Sequence, residues 1–326
     1  MGKRIFLTGG SGFLGRRILE TLQQRGHEVI APGRPEFDLM DEQSVIRSVT
    51  RAKPEIVIHS AAYYGGLGIN IHEPANLFHH NVIMTAHLLE ACGKAGISKF
   101  VSIGSACSYP GEVNGEMREI DYWSGPLHPS VEAYGFSKKA QQVGARAYGK
   151  QYGFKSQCPQ FTNLYGEHDV FTEYRSHVVS ALIKRFADAV ENGDAEVTNW
   201  GTGRAIREFM YVGDAAEAVA RLIDVESTKN TKNTNSCCSP ENSIINIGTG
   251  IGVSIKELAE LIARFTGFQG EIRWDTSKPD GVAKKVLDVS QMKKILGWIP
   301  PTSLEEGLKK TIDWYLANRE EANTRS

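Results

Sequence analysis

Tyr134 and Lys138 stand four residues apart in the run Tyr134-Gly-Phe-Ser-Lys138. On a helix that spacing puts a phenol and an ammonium on one face, a turn apart. A cation so placed holds down the pKa of a phenol, otherwise near ~10, and lets it trade protons near neutrality. Upstream, the apolar run Phe100-Val-Ser-Ile103 leads into Gly104-Ser-Ala-Cys-Ser-Tyr-Pro110. Ser105, at the end of such a strand, could polarise the carbonyl that the phenol protonates. By itself the Tyr/Lys pair reads more readily as a solvated helix face. The start of the chain decides between the two.

There, Arg4-Ile-Phe-Leu-Thr8 reads as a strand running into Gly9-Gly-Ser-Gly12-Phe-Leu-Gly15, and Leu14, Ile18 and Leu22 recur at helical spacing until Gly26. Strand, glycine turn and helix together make a dinucleotide site: Gly9 for the turn, Gly12 for backbone approach to a pyrophosphate, Gly15 for helix packing. Ser11, Phe13 and Leu14 belong to the same expected contact surface. His27-Glu-Val-Ile-Ala31 completes the first βαβ unit. An acid at its end would take the ribose hydroxyls and repel a 2′-phosphate. The chain instead reads Pro32-Gly33-Arg34, with no acid before Glu36. Arg34 therefore favours NADP over NAD.

Further strands are expected at Glu55–His59, Lys99–Ile103 and Ser156–Phe161, with helices around 75–95 and 132–152. The alternation predicts a doubly wound parallel α/β sheet. Ser60, Ala61 and Ala62 fall at a strand's carboxyl end, where a cofactor passes, and Gly65-Gly66 suggests close backbone approach. His59 is expected to pack inside the sheet. Beyond Gly166 the alternation loosens, which places a cofactor domain at 1–165 and a smaller α/β substrate domain at 166–326. Segments near 205–225 and 242–250 are expected to return to the first, through the strand-like Glu208–Val212 and Ser243–Gly248. The polar, low-complexity span 226–242 reads as a surface loop. Ser254-x-x-Glu257 and Ser303-x-x-Glu306 read as capping boxes.

The totals exclude several classes. A net charge of -1 gives no broad electrostatic reason to expect nucleic acid or an anionic membrane, and no apolar run is long enough to span a bilayer. The cysteines (92, 107, 158, 237 and 238) form no metal-ligand pattern, and their odd number argues against a disulfide framework. With an amino-terminal segment that moves straight into a strand, the expectation is a reduced, cytoplasmic protein.

The glycine turn, Ser105 and the Tyr134/Lys138 pair together resemble the extended short-chain dehydrogenase/reductase superfamily, whose cofactor domain is a Rossmann sheet. A closer resemblance, to the GDP-L-fucose synthases, spans nearly the whole chain. It is carried by Gly104–Pro110, Thr162-Asn-Leu-Tyr-Gly-Glu-His-Asp169, Ser176-His-Val-Val179, Trp200-Gly-Thr-Gly203, Arg207-Glu-Phe209, Asn246-Ile-Gly-Thr-Gly250 and Ser277-Lys-Pro-Asp-Gly281. The resemblance implies NADPH-dependent chemistry on a GDP-linked 4-keto-6-deoxy sugar: epimerisation at C3 and C5, then reduction at C4. It implies that Cys107 and His177 move protons at the carbons flanking the ketone. An unperturbed cysteine near ~8.5 and a histidine near ~6.5 suit that task. It further implies that Tyr134 protonates the reduced oxygen, that Lys138 tunes Tyr134 and holds the nicotinamide ribose, and that Asn163, Arg185, Trp200, Arg207 and Lys278 hold the nucleotide sugar. A homodimer pairing the helices near 75–95 and 132–152 follows by the same analogy.

The chain departs from that pattern at Phe161 and Glu167, where prolines are usual, at Val170, and at Tyr63-Tyr64. These positions leave open another nucleotide sugar, such as a GDP-linked heptose, or a 4-epimerase. A 4,6-dehydratase is disfavoured, because Ala106-Cys107 stands where that relative carries Asp-Glu. A dinucleotide-binding regulator without turnover predicts a broken Tyr/Lys pair, and here the pair is intact.

Overall fold

The structure is a computed structural model that describes residues 2–34, 36–113, 115–172, 174–225, 243–278 and 281–324. The low-complexity span 226–242, with Cys237 and Cys238, lies outside the described residues, as do Pro279 and Asp280.

β1 (Arg4–Thr8) sends Ile5 and Leu7 into one apolar core and Phe6 into another, the pattern of a strand covered on both faces. α1 (Phe13–Gln24) buries Phe13, Leu14, Ile18 and Leu22 on one stripe and stops before Gly26, whose φ of 77° suits only glycine well. β2 (Glu28–Ile30), α2 (Glu42–Ala52), β3 (Ile56–His59), α3 (Leu67–His72), α4 (Pro74–Ala95), β4 (Lys99–Ser102), β5 (Gly104–Ser105), α5 (Glu132–Tyr152) and β6 (Lys155–Phe161) continue the alternation. α2 and α3 add to the expected helices. α2 carries a clear start signal, since the Asp41 side chain accepts from Gln43 N.

The second half supplies β7 (Asn163–Tyr165), α6 (Val178–Asn192), β8 (Glu196–Trp200), β9 (Ile206–Tyr211), α7 (Val212–Asp224), β10 (Ile244–Ile247), β11 (Gly252–Ser254), α8 (Ile255–Thr266), β12 (Glu271–Asp275), β13 (Lys284–Lys285), α9 (Ser290–Leu296), α10 (Leu304–Ala317) and α11 (Arg319–Thr324).

The main sheet has the order β10-β6-β4-β3-β1-β2, with β5 beside β6, and every pairing in it is parallel. From β1 the chain steps one way to β2 and the other way to β3. The crevice beyond their carboxyl ends is thus the topological switch point, where such sheets bind ligands. Residues of α1 and α7 share the core on one face, and those of α2, α4 and α5 on the other. A third core joins α6, α8 and α10.

Two expectations need correction. The segment 205–225 is divided: α7 packs with α1, but β9 pairs with β7, β11 and β13 in a separate sheet. The main-sheet edge next to β6 is taken by β10 instead. At Ser254 both arms of the capping box are present, whereas at Ser303 the hydroxyl accepts from Glu306 N while the Glu306 carboxylate is drawn to Lys310.

Candidate active site

A cavity of about 980 Å³ opens at the switch point and extends to the separate sheet. Gly9, Ser11, Gly12, Phe13, Leu14 and Gly15 line one end. Gly12 N donates to Gly9 O at 2.9 Å, so the turn closes and α1 begins at the cavity wall. A Cβ on Gly15 would sit 1.9 Å from Gly9 O, so turn and helix touch with no space for a side chain. This cradle presents a helix N-terminus, with its N–H groups and positive dipole end, to a diphosphate. The residues present therefore fit a dinucleotide.

Exposed Arg34 lies on the same wall, as do Ala61 and Ala62 after β3. The loop after β3 is tied back to the sheet: Ala61 N donates to Thr8 Oγ1 at 3.2 Å, and Thr8 Oγ1 bonds His59 Nδ1 at 2.8 Å. Burial, with some help from the Lys138 charge, pulls His59 down to about 3. It is a neutral, buried sheet residue, as expected.

Ser105, Cys107, Tyr134, Lys138 and His177 all line the cavity. Ser105 N donates to Gln160 Oε1 at 3.0 Å, and its Oγ accepts from Cys107 N at 3.2 Å. One short 3-10 turn, Ala106–Ser108, thereby fixes both groups. Behind it the buried Tyr109 hydroxyl donates to Asn246 Oδ1 at 2.6 Å, and Asn246 Nδ2 donates to Met117 O and Asp288 O. Lys138 is buried; its Nζ donates to Ile103 O at 2.9 Å and to Gln141 Oε1 at 3.2 Å, and lies 5.8 Å from the Tyr134 ring centroid.

The expected depression of the Tyr134 pKa is not found. Burial pushes the phenol up, and the nearby Cys107 and Tyr64 add to the rise against a hydrogen bond from Ser105. The reason is that Lys138 is itself buried, which pulls it down to about 8, and its ammonium is spent on carbonyl oxygens. Tyr134 is therefore a protonated phenol across the neutral range.

His177 is the N-cap of α6, but its side chain makes no cap hydrogen bond. The imidazole instead stacks on Tyr64, with centroids 5.8 Å apart and planes 18° from parallel. Close backbone packing sets this up. Gly66 N donates to Arg175 O at 3.0 Å, and a Cβ on Gly66 would fall 2.2 Å from Ser176 O. The approach expected at Gly65-Gly66 is made to the chain that carries His177.

At the far end Asn163 Nδ2 donates to Glu208 O at 2.9 Å, Arg185 Nη1 to Asn199 Oδ1 at 2.7 Å, and Arg207 Nη1 to Ile206 O at 2.8 Å. All three are half-buried on the cavity wall. Trp200 also lines the cavity while remaining 63% exposed, so its indole stands at the mouth. Lys278 is not among the lining residues. Its Nζ reaches over the Trp200 ring, 5.7 Å from the centroid.

A model of the NAD dependent epimerase/dehydratase family matches residues 5–248. The chain belongs to that family. It is 35% identical to the GDP-L-fucose synthase of Escherichia coli (strain K12) over 319 residues, 98% of each chain. Among solved structures it is similar to a GDP-6-OMe-4-keto-L-xylo-heptose reductase from C. jejuni, with a TM-score of 0.88, 27% identity and coverage of 97% and 98% of the two chains. A GDP-D-glycero-L-gluco-heptose synthase from Campylobacter jejuni, solved in the presence of NADPH, gives 0.86 and 26% over the same shares. The doubly wound sheet is thus the fold of an epimerase/dehydratase family enzyme.

The lining residues that the sequence does not single out as site residues include Tyr64 and Asn199. Asn199 carried a signal, for it sits two residues after buried Val197 in a strand whose exposure alternates, at a position that should be apolar. Among the described residues its Nδ2 is buried without a hydrogen-bond partner, while its Oδ1 receives Arg185. Tyr64 was visible only as an oddity of sequence, because its contact lies more than a hundred residues away in His177.

Proposed function

We propose that this protein uses NADPH to convert a GDP-4-keto-6-deoxy sugar, inverting C3 and C5 and then reducing the C4 ketone. One observation carries the reading: a single cavity brings the Tyr134/Lys138 pair, the Cys107/His177 pair and the glycine cradle together. A plain reductase needs only the first pair and the cradle. Protons beside a ketone are acidic because the enolate places charge on oxygen, and Ser105 with Tyr134 can stabilise that oxyanion. Cys107 and His177 stand as the acid and base that take a proton from one face and return it to the other. When bound, NADPH would supply the hydride for C4.

Tyr134, held protonated by burial, gives its proton to the resulting oxygen. Lys138 keeps enough charge at neutral pH to orient the ribose. Gly9, Ser11, Gly12, Phe13, Leu14 and Gly15 would hold the pyrophosphate, Ala61 and Ala62 the cofactor's middle, and Arg34 its 2′-phosphate. Arg185, Arg207 and Lys278 suit the substrate diphosphate, Asn163 the sugar, and Trp200 a stacking contact.

A second reading has its own support: a GDP-heptose as substrate. Phe161, Glu167 and Val170 depart from the fucose synthase pattern, and the heptose enzymes from Campylobacter jejuni share the fold over nearly the whole chain. The two are separated by incubating the protein with NADPH and a panel of 4-keto GDP-sugars and identifying products by NMR. Turnover of the 6-deoxyhexose to the 3,5-inverted, 4-reduced sugar supports the first. Turnover of the heptose alone supports the second, and no turnover of either sinks both.

The same reading includes a division into a cofactor part, 1–165 with α7 and β10, and a substrate part made mainly of the rest. It also includes a cytoplasmic homodimer joined through α4 and α5. Phe78, Phe136 and Val143 are exposed there, and the Phe78 and Phe136 rings lie 6.3 Å apart, an apolar strip suited to a second copy. A monomer by sedimentation at micromolar concentration contradicts the dimer. No described helix is long and apolar enough to cross a membrane.

A further inference from the structure

We infer that Tyr64 is a positioning residue for His177, fixing its imidazole for proton transfer at a carbon beside the ketone. The inference rests on the proposed proton-moving role of His177 and adds what makes that role possible in this chain.

The two rings are nearly parallel at 5.8 Å, and both face the cavity that holds Tyr134 and Cys107. Because the His177 side chain makes no cap bond to its own helix, the face of Tyr64 is a principal restraint on the ring. Tyr64 can serve as a rigid plate because its backbone is clamped. Arg175 Nη2 donates to Tyr64 O at 3.1 Å, and the Arg175 guanidinium lies over the Tyr63 ring at 5.4 Å. Tyr63 is held in turn: its hydroxyl donates to Glu73 at 2.6 Å, and its N–H and C=O bond the Asn81 side chain at 2.9 and 2.8 Å.

Residues 63–66 and 174–177 are therefore tied to each other, through the Arg175–Tyr64 and Gly66–Arg175 bonds. Tyr64 is also near enough to Tyr134 to disfavour ionisation of that phenol. Proton transfer to carbon is sensitive to placement; a shift of about 1 Å can cost about a hundredfold. Stacking supplies that placement through the ring face alone, and the hydroxyl is not needed for it.

The test compares Tyr64→Val, Tyr64→Phe and His177→Ala, with GDP-4-keto-6-deoxy-D-mannose as the probe. Two rates are read: deuterium wash-in from solvent at the carbons flanking the ketone, and NADPH oxidation in a single turnover. Tyr64→Val is expected to slow wash-in by roughly 10- to 100-fold, mainly in kcat, with a much smaller loss in NADPH oxidation. Tyr64→Phe is expected to restore wash-in to within about threefold of wild type, since it keeps the stacking face. NADPH titration and circular dichroism check that Tyr64→Val is folded; if it is not, the Phe variant and a Tyr64→Leu variant carry the comparison. Wild-type wash-in in Tyr64→Val or Tyr64→Leu overturns the inference, as does a Phe variant as slow as Val. If His177→Ala is slow while those variants are not, only the role of Tyr64 falls. If His177→Ala itself exchanges at the wild-type rate, the proton-moving role of His177 falls, and that of Tyr64 with it.

Discussion

Two glycine turns at strand ends use similar sequence to opposite purpose. After β1, Gly9-Gly-Ser-Gly12 turns the chain into α1 and lines the cavity. After β10, Gly248-Thr-Gly250 makes a turn whose donors serve the protein's own carboxylate. Glu208, fully buried, accepts from Thr249 N at 2.6 Å, Gly250 N at 2.9 Å and Leu287 N at 2.7 Å. In the function proposed above the first turn serves an external anion, whereas the second has its carboxyl group supplied by β9. What decides a glycine turn's chemistry is the group standing over it, and that group is remote in sequence.

Glu208 is the group on which the second turn depends. Glu208→Ala leaves three backbone donors without their acceptor, at about 1 kcal/mol or more each, so a loss near 3 kcal/mol is expected. For a chain of 326 residues that is a fall in Tm of roughly 4–5 °C by calorimetry, with NADPH affinity little changed. The carboxylate also makes a pH signature. Burial raises its pKa despite the backbone donors, so as pH rises the unfolded chain loses this proton before the folded chain does. Its contribution to stability is full below the ordinary carboxyl pKa of about 4.3 and is lost as pH climbs through the raised value. Urea unfolding of wild type against Glu208→Gln is expected to favour wild type more near pH 4 than near pH 7.

Gly15→Ala tests the other turn. The added Cβ meets Gly9 O, so the cradle must open. Overpacking of this kind costs about 1–3 kcal/mol, which at about 1.4 kcal/mol per tenfold is up to about a hundredfold in NADPH affinity. Here the order is reversed, with cofactor binding suffering more than Tm.

The smallest contrast sharpens the same point with two look-alike helix caps. Ser254→Ala is expected to cost about 1 kcal/mol and Glu257→Ala a further measurable part, because both arms of that box are made. Glu306→Ala is expected to change stability far less than Glu257→Ala, since Glu306 bonds Lys310 on an exposed helix face. Thermal melts of the four single variants, adding Ser303→Ala, check this.

Legibility followed the same division. β1, α4 and α5 were visible because their apolar spacing is local and their ends carry glycine or proline; Gly96 and Gly153, for instance, take the left-handed conformation that ends α4 and α5. The cofactor cradle was legible for the same reason. The placement of β9 was not, because an apolar strand does not say which neighbour it will pair with, and β10 took the edge. Tyr109 and Asn246, read as parts of a resemblance, prove to be bonded to each other across 137 residues, behind the Ser105–Cys107 turn. The expectation for Tyr134 failed because spacing shows that Lys138 is near but not that it is buried and already bonded.

In the proposed function one cavity separates two chemistries, with Cys107 and His177 moving protons and Tyr134 and Lys138 serving the reduction. The most direct measurement is deuterium wash-in at the carbons flanking the ketone, set beside NADPH oxidation, in Cys107→Ser and Tyr134→Phe. A serine hydroxyl is a far weaker acid than a thiol, so Cys107→Ser is expected to lose wash-in by about 10²–10⁴-fold while NADPH still binds. Tyr134→Phe is expected to show the reverse, with NADPH oxidation down by a similar factor and wash-in surviving in part. Wild-type exchange and full epimerisation by Cys107→Ser would contradict the account, and would return Cys107 to a half-buried thiol beside a plain 4-reductase site.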